Sequence, residues 1–557
     1  MEKRLLLAFL LMGAVLFLTP LLYKPAGPTR TGPPPEPAAQ AVKPEPPPAK
    51  PVVAEAAKPA AGVVAASEED AFIVETDVYR IVFSNRGAVV RSWVLKKYTD
   101  RNGAPLELVN AQAAPKSGYP FAVVFNDQKP DVNIDQMLFV AKPATDGLGF
   151  DFEFSNGSVL ARKSFRFLKD SYLSQVSSSV SQNGAGLAHF LAWRGGFGDR
   201  SVQGSVSQQW AVYHDPAAGK LIANDASEAS DGPITVSGSF TFGGLADTFF
   251  AAVFMRRGST PFEVRTYSDW VASAPEVKEE AHVGAAVGGD ARNEFAVFVG
   301  PKDIDLLRKI DAKLEQLVDF GWFAFVARPL FLSLNWVNNN WVHNYGWSIV
   351  IVTVIINMLM LPLKFTSLRS ARKMQSVQPH IAAIQAKYKG LSARDPKKLE
   401  QNQEIMKVYK EHGINPMGGC MPLLLQLPFF YAFYTVLTVA IEMRGANWLW
   451  VTDLSQPETI PIRLLPLAMI GTQFLLTKMT PTPSADPMQQ KMMMLMPLMF
   501  GVLFWSASSG LVLYWLTGNL MGIIQQWFFN RISGPAPAPA AVAPGKPVGK
   551  QKGSRRP

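Results

Sequence analysis

The chain has 557 residues, of which 48% are hydrophobic and 18% charged, with a formal net charge of +10 and a mean hydropathy of +0.08. A single cysteine, Cys420, excludes an intramolecular disulfide and a thiolate metal cluster, and the 6 histidines show no HxxxH or HxxEH spacing, so a zinc enzyme has no support. The basic balance fits anionic lipid, ribosome or nucleic acid equally well, and its position along the chain has to choose between them.

Apolar residues concentrate at the N-terminus and in the last 220 or so residues, the distribution of a membrane protein. Residues 1–23 hold an apolar run behind Lys3 and Arg4. No small-x-small cleavage site follows it at Thr19-Pro20-Leu21-Leu22-Tyr23, so it reads as a retained transmembrane anchor with a cytosolic N-terminus rather than a cleaved signal. Residues 24–67 are mostly Pro and Ala, as in Pro33-Pro34-Pro35 and Pro46-Pro47-Pro48. Such a segment cannot bury a core, and it is expected to be a disordered, semi-extended tether.

Residues 68–302 change to period two. Tyr79, Ile81 and Phe83 alternate with Arg80, Val82 and Ser84, and similar runs recur at 88–95, 121–125 and 150–154. Gly, Asn and Asp clusters separate them, so an all-β sandwich is expected, with no catalytic spacing among its His, Asp and Glu residues. Residues 303–342 are predicted to be amphipathic or interfacial helices. The stretch 303–317 is helical in pattern, whereas 320–337 is apolar but interrupted by Arg328 and Pro329 and closed by Asn338-Asn339-Asn340.

Further spans are expected at 343–363, 417–441, 462–478, 492–507 and 511–530. Between the first two, residues 364–416 carry eleven Lys and Arg against four acids. The connection 442–461 instead has Arg444 against Glu442, Asp453 and Glu458, and the tail 531–557 is basic only. These asymmetries agree with one topology, both termini in the cytosol, and making 320–337 a span would invert them all. Within 364–416, a first helix ending at Gly390 and a second starting after Asp395-Pro396 and ending at Gly413 make a cytosolic helical hairpin. The loop 479–491 is cytosolic in the same scheme.

Asn357 lies inside the first of these spans, with Thr353 and Lys364 on the same helical face. By helical rise it sits about 10 Å from Lys364, at a depth where a polar side chain must face protein or water rather than lipid. Gln426, Gln473, Asn519 and Gln526 add polar groups to other spans; interhelical packing is the alternative for such amides, and an equal one for Gln473 and Gln526. The run Met488-Gln489-Gln490-Lys491-Met492-Met493-Met494-Leu495-Met496 suits a surface that accepts many apolar partners, although methionine is also an ordinary helix former.

Several separated motifs resemble one family. Asn415-Pro416-Met417-Gly418-Gly419-Cys420-Met421-Pro422-Leu423-Leu424-Leu425-Gln426-Leu427-Pro428 is similar to the third-span signature of the YidC/Oxa insertase superfamily. Asp486-Pro487-Met488-Gln489-Gln490-Lys491 and Ser509-Gly510-Leu511-Val512-Leu513-Tyr514-Trp515 resemble its fifth- and sixth-span signatures, and Phe72-Ile73-Val74-Glu75-Thr76-Asp77 the start of its periplasmic domain. The resemblance implies a mixed fold: a polytopic α-helical membrane bundle, made of the anchor and a five-helix insertase core, with a large periplasmic all-β supersandwich similar to sugar mutarotases. It implies no enzyme activity and no cofactor.

The implied function is insertion of nascent membrane proteins, alone or with the Sec translocon. A hydrophilic groove formed by Asn357, Thr353, Lys364, Gln426, Trp515 and Asn519 would take the polar part of the substrate. Met421, Leu425, Phe429, Met493, Met496 and Phe500 would form the surface along which the apolar helix slides into the phospholipid bilayer. Arg369, Arg372, Lys373, Lys397 and Lys398 of the cytosolic hairpin, with the basic tail, would receive substrate and contact the ribosome, without sequence-specific binding of nucleic acid. The family usually places an arginine, sometimes a lysine, where this chain has Asn357. A groove working by hydration and hydrogen bonding, with Lys364 contributing little, is therefore expected. A small-molecule transporter is the nearest rival, but no intramembrane acid and no inverted repeat supports it.

Overall fold

A computed structural model of the protein describes residues 62–533 except 127, 202–207, 257–260, 272–278, 389–394, 396, 415–420 and 481–486; the side chains of 398, 421–425 and 487–493 also lie outside the description. The predicted anchor, most of the tether, Cys420, Asp486 and nearly all of the tail fall outside the described residues. The rest divides into a β unit that ends at Asp319 and a helical unit that begins at Phe320.

Among the described residues the β unit holds an 11-stranded, a 5-stranded and a 4-stranded sheet. Alternation places each strand. In Tyr79–Ser84 the side chains of Tyr79, Ile81 and Phe83 are fully buried while Arg80 is exposed. The long strands Val159–Phe167, Leu173–Gln182 and Arg292–Pro301 lie side by side and antiparallel, setting Val176 between Phe165 and Phe295. Trp93, Phe121, Phe165 and Trp193 meet beneath them, with Trp93 and Trp193 centroids 6.1 Å apart and Phe121 edge-on to Phe165 at 5.3 Å. Aromatic burial of this size is the main favourable term for such a core.

Two boundaries differ from the sequence reading. Order begins before residue 68, because Val63–Val64 pairs with Asn156 and Ser155 and so extends the large sheet into the expected tether. The segment expected to be interfacial from residue 303 instead joins the β unit as far as Asp319. Asp303 caps helix α1, Ile304–Ile310, by accepting from Leu306 N at 2.8 Å, and Asp311 caps the 3-10 turn Ala312–Leu317. Ile304, Leu307, Leu314 and Leu317 are buried on that side, which removes the apolar face a membrane surface would need.

The helical unit starts with α2, Ala324–Val337, and α3, Tyr345–Leu359. The helical stretch through α2 is bent by 115° from α3, around His343 in the left-handed region and the extended Asn344. Among the described residues no single helix is long and apolar enough by itself to cross a membrane, and this bent pair meets that test only when taken together. Trp322, Phe325, Trp336 and Trp341 are exposed, whereas Leu330, Phe331 and Leu334 of α2 are buried.

Helix α4, Leu361–Ser376, follows α3 after a break at Met360, because Pro362 in its first turn lacks the N–H that would continue the ladder. A second break at Val377 precedes Pro379 and starts α5, Gln378–Lys387, so the expected single hairpin helix is two. The partner helix α6, Lys397–Glu411, begins where Asp395 accepts from Lys397 N at 2.9 Å. It ends at Gly413, φ +59°, where Ile414 N donates five residues back to Tyr409 O at 2.8 Å. That αL cap carries Ile414 into a small core with Met374, Val377 and Ile381. The remaining helices are α7, Met421–Val439; α8, Leu464–Met479; α9, Pro487–Phe504; and α10, Ser509–Ile532.

Candidate functional site

The connection 442–461 ties three helix starts together. Leu454 O accepts from Gly510 N at 2.9 Å and Gln456 O from Ser509 N at 2.7 Å, taking two of the amides that the first turn of α10 leaves unsatisfied. Glu458, buried, accepts from Leu465 N at 3.0 Å in the first turn of α8 and from the Trp450 indole. A carboxylate there also faces the positive end of the helix dipole. Asn344 accepts from Trp347 N to cap α3, and its amide donates to Asn447 O at 2.9 Å. Trp448, Val451 and Leu454 are buried beneath, so this end of the bundle is closed by a packed loop.

Further along, α3 and α10 carry a buried polar layer. Asn357 is 3% exposed, Thr353 0% and Gln525 5%. The Asn357 amide donates to Thr353 O at 2.8 Å, while Gln525 Nε2 donates to Asn357 O at 3.2 Å. Lys364 reaches back across the helix break, and its ammonium donates to Asn357 Oδ1 at 2.6 Å. The sequence reading placed Lys364 at the mouth of the groove; the side chain brings its charge to Asn357 itself. Thr353 Oγ1 and Gln525 Oε1 are buried without a protein hydrogen-bond partner.

The other expected groove residues occupy neighbouring layers. Gln426 of α7 donates to Tyr514 OH at 2.5 Å, and the Tyr514 ring stacks on Phe433 at 4.0 Å. Trp515 Nε1 donates to Gln473 Oε1 at 3.1 Å, with its ring against Phe430, Phe500 and Phe504. Asn519 donates to Met469 O and Thr472 Oγ1, both at 3.3 Å. Gln426, Gln473 and Asn519 therefore each spend an amide on interhelical bonding, and Gln526 donates along α10 to Asn530 at 2.9 Å. Gln525 was not singled out by sequence reasoning. Its position beside Gln526 in a span was the available signal, and only the packing of α10 on α3 shows which of the pair turns toward Asn357.

Of the expected sliding surface, the side chains of Met421, Leu425 and Met493 lie outside the described residues, and Phe429 and Met496 are half-buried. Phe500 points inward to Trp515. Among the described side chains of α9 the exposed face consists of Met494, Leu495, Leu498, Met499 and Val502, an i, i+1, i+4, i+5, i+8 stripe. In the hairpin Arg369, Lys373 and Lys397 are exposed, and the Lys398 side chain lies outside the described residues. Arg372 is committed elsewhere: it donates to Ser533 O at 2.9 Å and Asn530 Oδ1 at 3.4 Å, and lies over the Phe529 ring at 5.0 Å.

Comparison with known proteins identifies both units. Residues 72–333 match the family model described as the YidC periplasmic domain, and residues 336–535 match the one described as 60Kd inner membrane protein. The membrane protein insertase YidC of Pelobacter propionicus is 31% identical over 567 aligned positions, covering 96% of this chain and 99% of that one. The membrane protein insertase YidC of Cupriavidus necator is 34% identical, covering 85% and 84%. The crystal structure of YidC from Thermotoga maritima is 14% identical with a TM-score of 0.30, covering 83% of this chain and 98% of that one. With a periplasmic β domain followed by an inner-membrane helical part, the chain belongs to the YidC family of membrane protein insertases.

Proposed function

We propose that the helical unit inserts nascent membrane proteins by taking their polar segment to the layer formed by Thr353, Asn357, Gln525 and Lys364, and by releasing their apolar helix along α9 into the bilayer. The observation that carries this reading is the polar layer itself: buried amide and hydroxyl groups, two of them without a protein partner, inside helices that are mostly apolar. Such groups are costly to bury unless something polar reaches them. The packed connection 442–461 supports a path closed toward the periplasm, and the exposed methionine and leucine stripe of α9 supports an exit toward lipid.

Both termini face the cytosol in this proposal, as the basic excess of 364–416 and of the tail requires. Helix α2 lies at the periplasmic membrane surface, its exposed Trp336 and neighbouring Trp341 at headgroup level. The exposed Arg369, Lys373 and Lys397 meet the ribosome or the emerging chain, and the insertase works alone or beside the Sec translocon.

The test is insertion of a single-span substrate into proteoliposomes holding the full-length protein. Asn357→Leu removes the centre of the polar layer and is expected to lower the insertion rate by about tenfold, an effect of the size of one lost buried polar contact. A cysteine probe placed beside residue 357 should at the same time lose its reactivity to a water-soluble thiol reagent. Unchanged insertion with a dry probe would overturn the reading.

A further inference from the structure

The connection 442–461 carries its most exposed apolar residue on a strained turn. Trp448 and Val451 pair through two hydrogen bonds, N to O in each direction at 2.8 Å, and so close a two-residue hairpin turn with Leu449 and Trp450 at its tip. Leu449 has φ +49°, in the left-handed region where such turns usually place Gly, Asn or Asp. The turn leaves this leucine 66% exposed. Standing in water it would be penalised twice, by its backbone conformation and by its uncovered apolar surface. The second penalty vanishes where the surroundings are themselves apolar.

Three indoles form a row at this turn. Trp347, in the first turn of α3, stands edge-on to Trp448 at 5.6 Å, and the Trp448 and Trp450 centroids are 5.8 Å apart. Trp448 is the buried centre of the row, and Trp347 and Trp450 are exposed at its two ends. Glu458 accepts from the Trp450 indole and, at 3.0 Å, from Leu465 N, which seats Trp450 beside the first turn of α8. Ile462 and Leu464 are exposed there, and the exposed side of α8 continues through Leu467 to Leu475 on one helical face. Arg463 donates to Trp505 O and lies over that ring at 5.7 Å, which holds a cation at the level of the patch. Acids are turned away from it: Glu458 is buried, and Asp453 accepts from Ser455 N at 2.8 Å and Ser455 Oγ at 2.7 Å.

Indoles with one polar edge, an apolar tip and a guanidinium suit a bilayer interface, where tryptophan lies at headgroup depth and arginine meets phosphate. The patch also runs without a break into the apolar outer side of α8, so one medium covers both. We infer that the turn at Leu449 is a lipid-seated anchor. Leu449 and Ile462 enter the acyl region, Trp347 and Trp450 lie among the headgroups, and Arg463 meets lipid phosphate. The closed end of the bundle is thereby fixed in depth in the leaflet on its side. This goes beyond the insertion function and needs only that the helical unit lies in a bilayer; the proposed topology makes that leaflet the periplasmic one.

The experiment uses the full-length protein in vesicles of phosphatidylethanolamine and phosphatidylglycerol. Cys420→Ser removes the natural cysteine, and Leu449→Cys, or Lys220→Cys in the β unit as an aqueous reference, then carries a fluorophore. Quenching by aqueous iodide should be about fivefold weaker at residue 449 than at residue 220, as for a side chain seated about 5–10 Å into the interface. A nitroxide near the lipid headgroup should quench the fluorophore at 449 more than one at the chain end. Strong iodide quenching without lipid quenching would show a loop standing in water, open to a partner protein. Shielding from both quenchers would show a contact with protein, such as a second copy of this chain; either result overturns the inference. A second variant tests the tip itself. With the fluorophore at Ile462→Cys, Leu449→Asp should raise iodide quenching by about threefold, because a carboxylate resists entry into lipid. An unchanged value there would mean that Leu449 does not anchor the turn and would also overturn the inference.

Discussion

His189 is a buried residue of the β unit whose two ring nitrogens are both hydrogen-bonded. Its Nδ1 donates to Leu187 O at 3.0 Å, and Nε2 accepts from Ser178 Oγ at 2.8 Å and from Asn293 Nδ2 at 3.3 Å. That arrangement needs a neutral ring, and burial lowers its pKa to about 4. A histidine depressed in the folded state contributes stability that is present above its unfolded value, near 6.5, and is lost as pH falls through about 4. The unfolding midpoint gap between wild type and His189→Asn should therefore shrink as pH is lowered from about 7 to about 4, through a change of roughly 3 kcal/mol. A gap that stays constant in a thermal scan at several pH values would contradict it. At this scale the sequence was partly readable. Asn357 and Thr353 stood out because polar residues are rare in apolar runs, but the reach of Lys364 depended on a side-chain path that periodicity does not describe. The inward turn of Phe500 was hidden for the same reason: a run of methionines and phenylalanines has no polar residue to mark which face is outside.

Among the elements, the connection 442–461 is the least expected. Its composition read as an ordinary acidic loop, yet its carbonyls and Glu458 complete the first turns of α10 and α8. Long-range capping of this kind leaves no local signature, whereas the hairpin caps at Asp395 and Gly413 were visible because a cap next to its own helix follows a fixed spacing. Gly346 shows how closely the loop is seated: a methyl at that position would come within 2.2 Å of Trp448 Cδ1. Gly346→Ala should lower the stability of the purified protein by about 1–3 kcal/mol, the usual cost of overpacking a rigid site. A denaturant titration of the helical unit in detergent reads this directly, and an unchanged midpoint would show that Trp448 can move aside. Helix breaks were the other loss at this scale. Pro362 and Pro379 were present in the sequence, but proline in the first turn of a helix and proline ending one look alike until the backbone is seen.

For the whole molecule, the two-part plan was legible because the change from period two to long apolar runs is a change in physics, not only in composition. The edges were less so. Val63–Val64 joins a sheet through backbone pairing with Asn156 and Ser155, which a Pro/Ala-rich context concealed. The β unit has its own aromatic core and its own capped C-terminal helix, so residues 62–319 expressed alone should fold cooperatively, with an unfolding midpoint independent of detergent. Circular dichroism of that fragment decides the point, and a chain without sheet signal would show that the helical unit is needed for folding. In the helical unit, Arg372 holds α4 to the last described turn of α10 through Ser533, Asn530 and Phe529. Mechanically this guanidinium is a tie between two helices. A load on the chain beyond Ser533 passes first along the backbone of α10, and the Arg372 contacts give it a second route into α4.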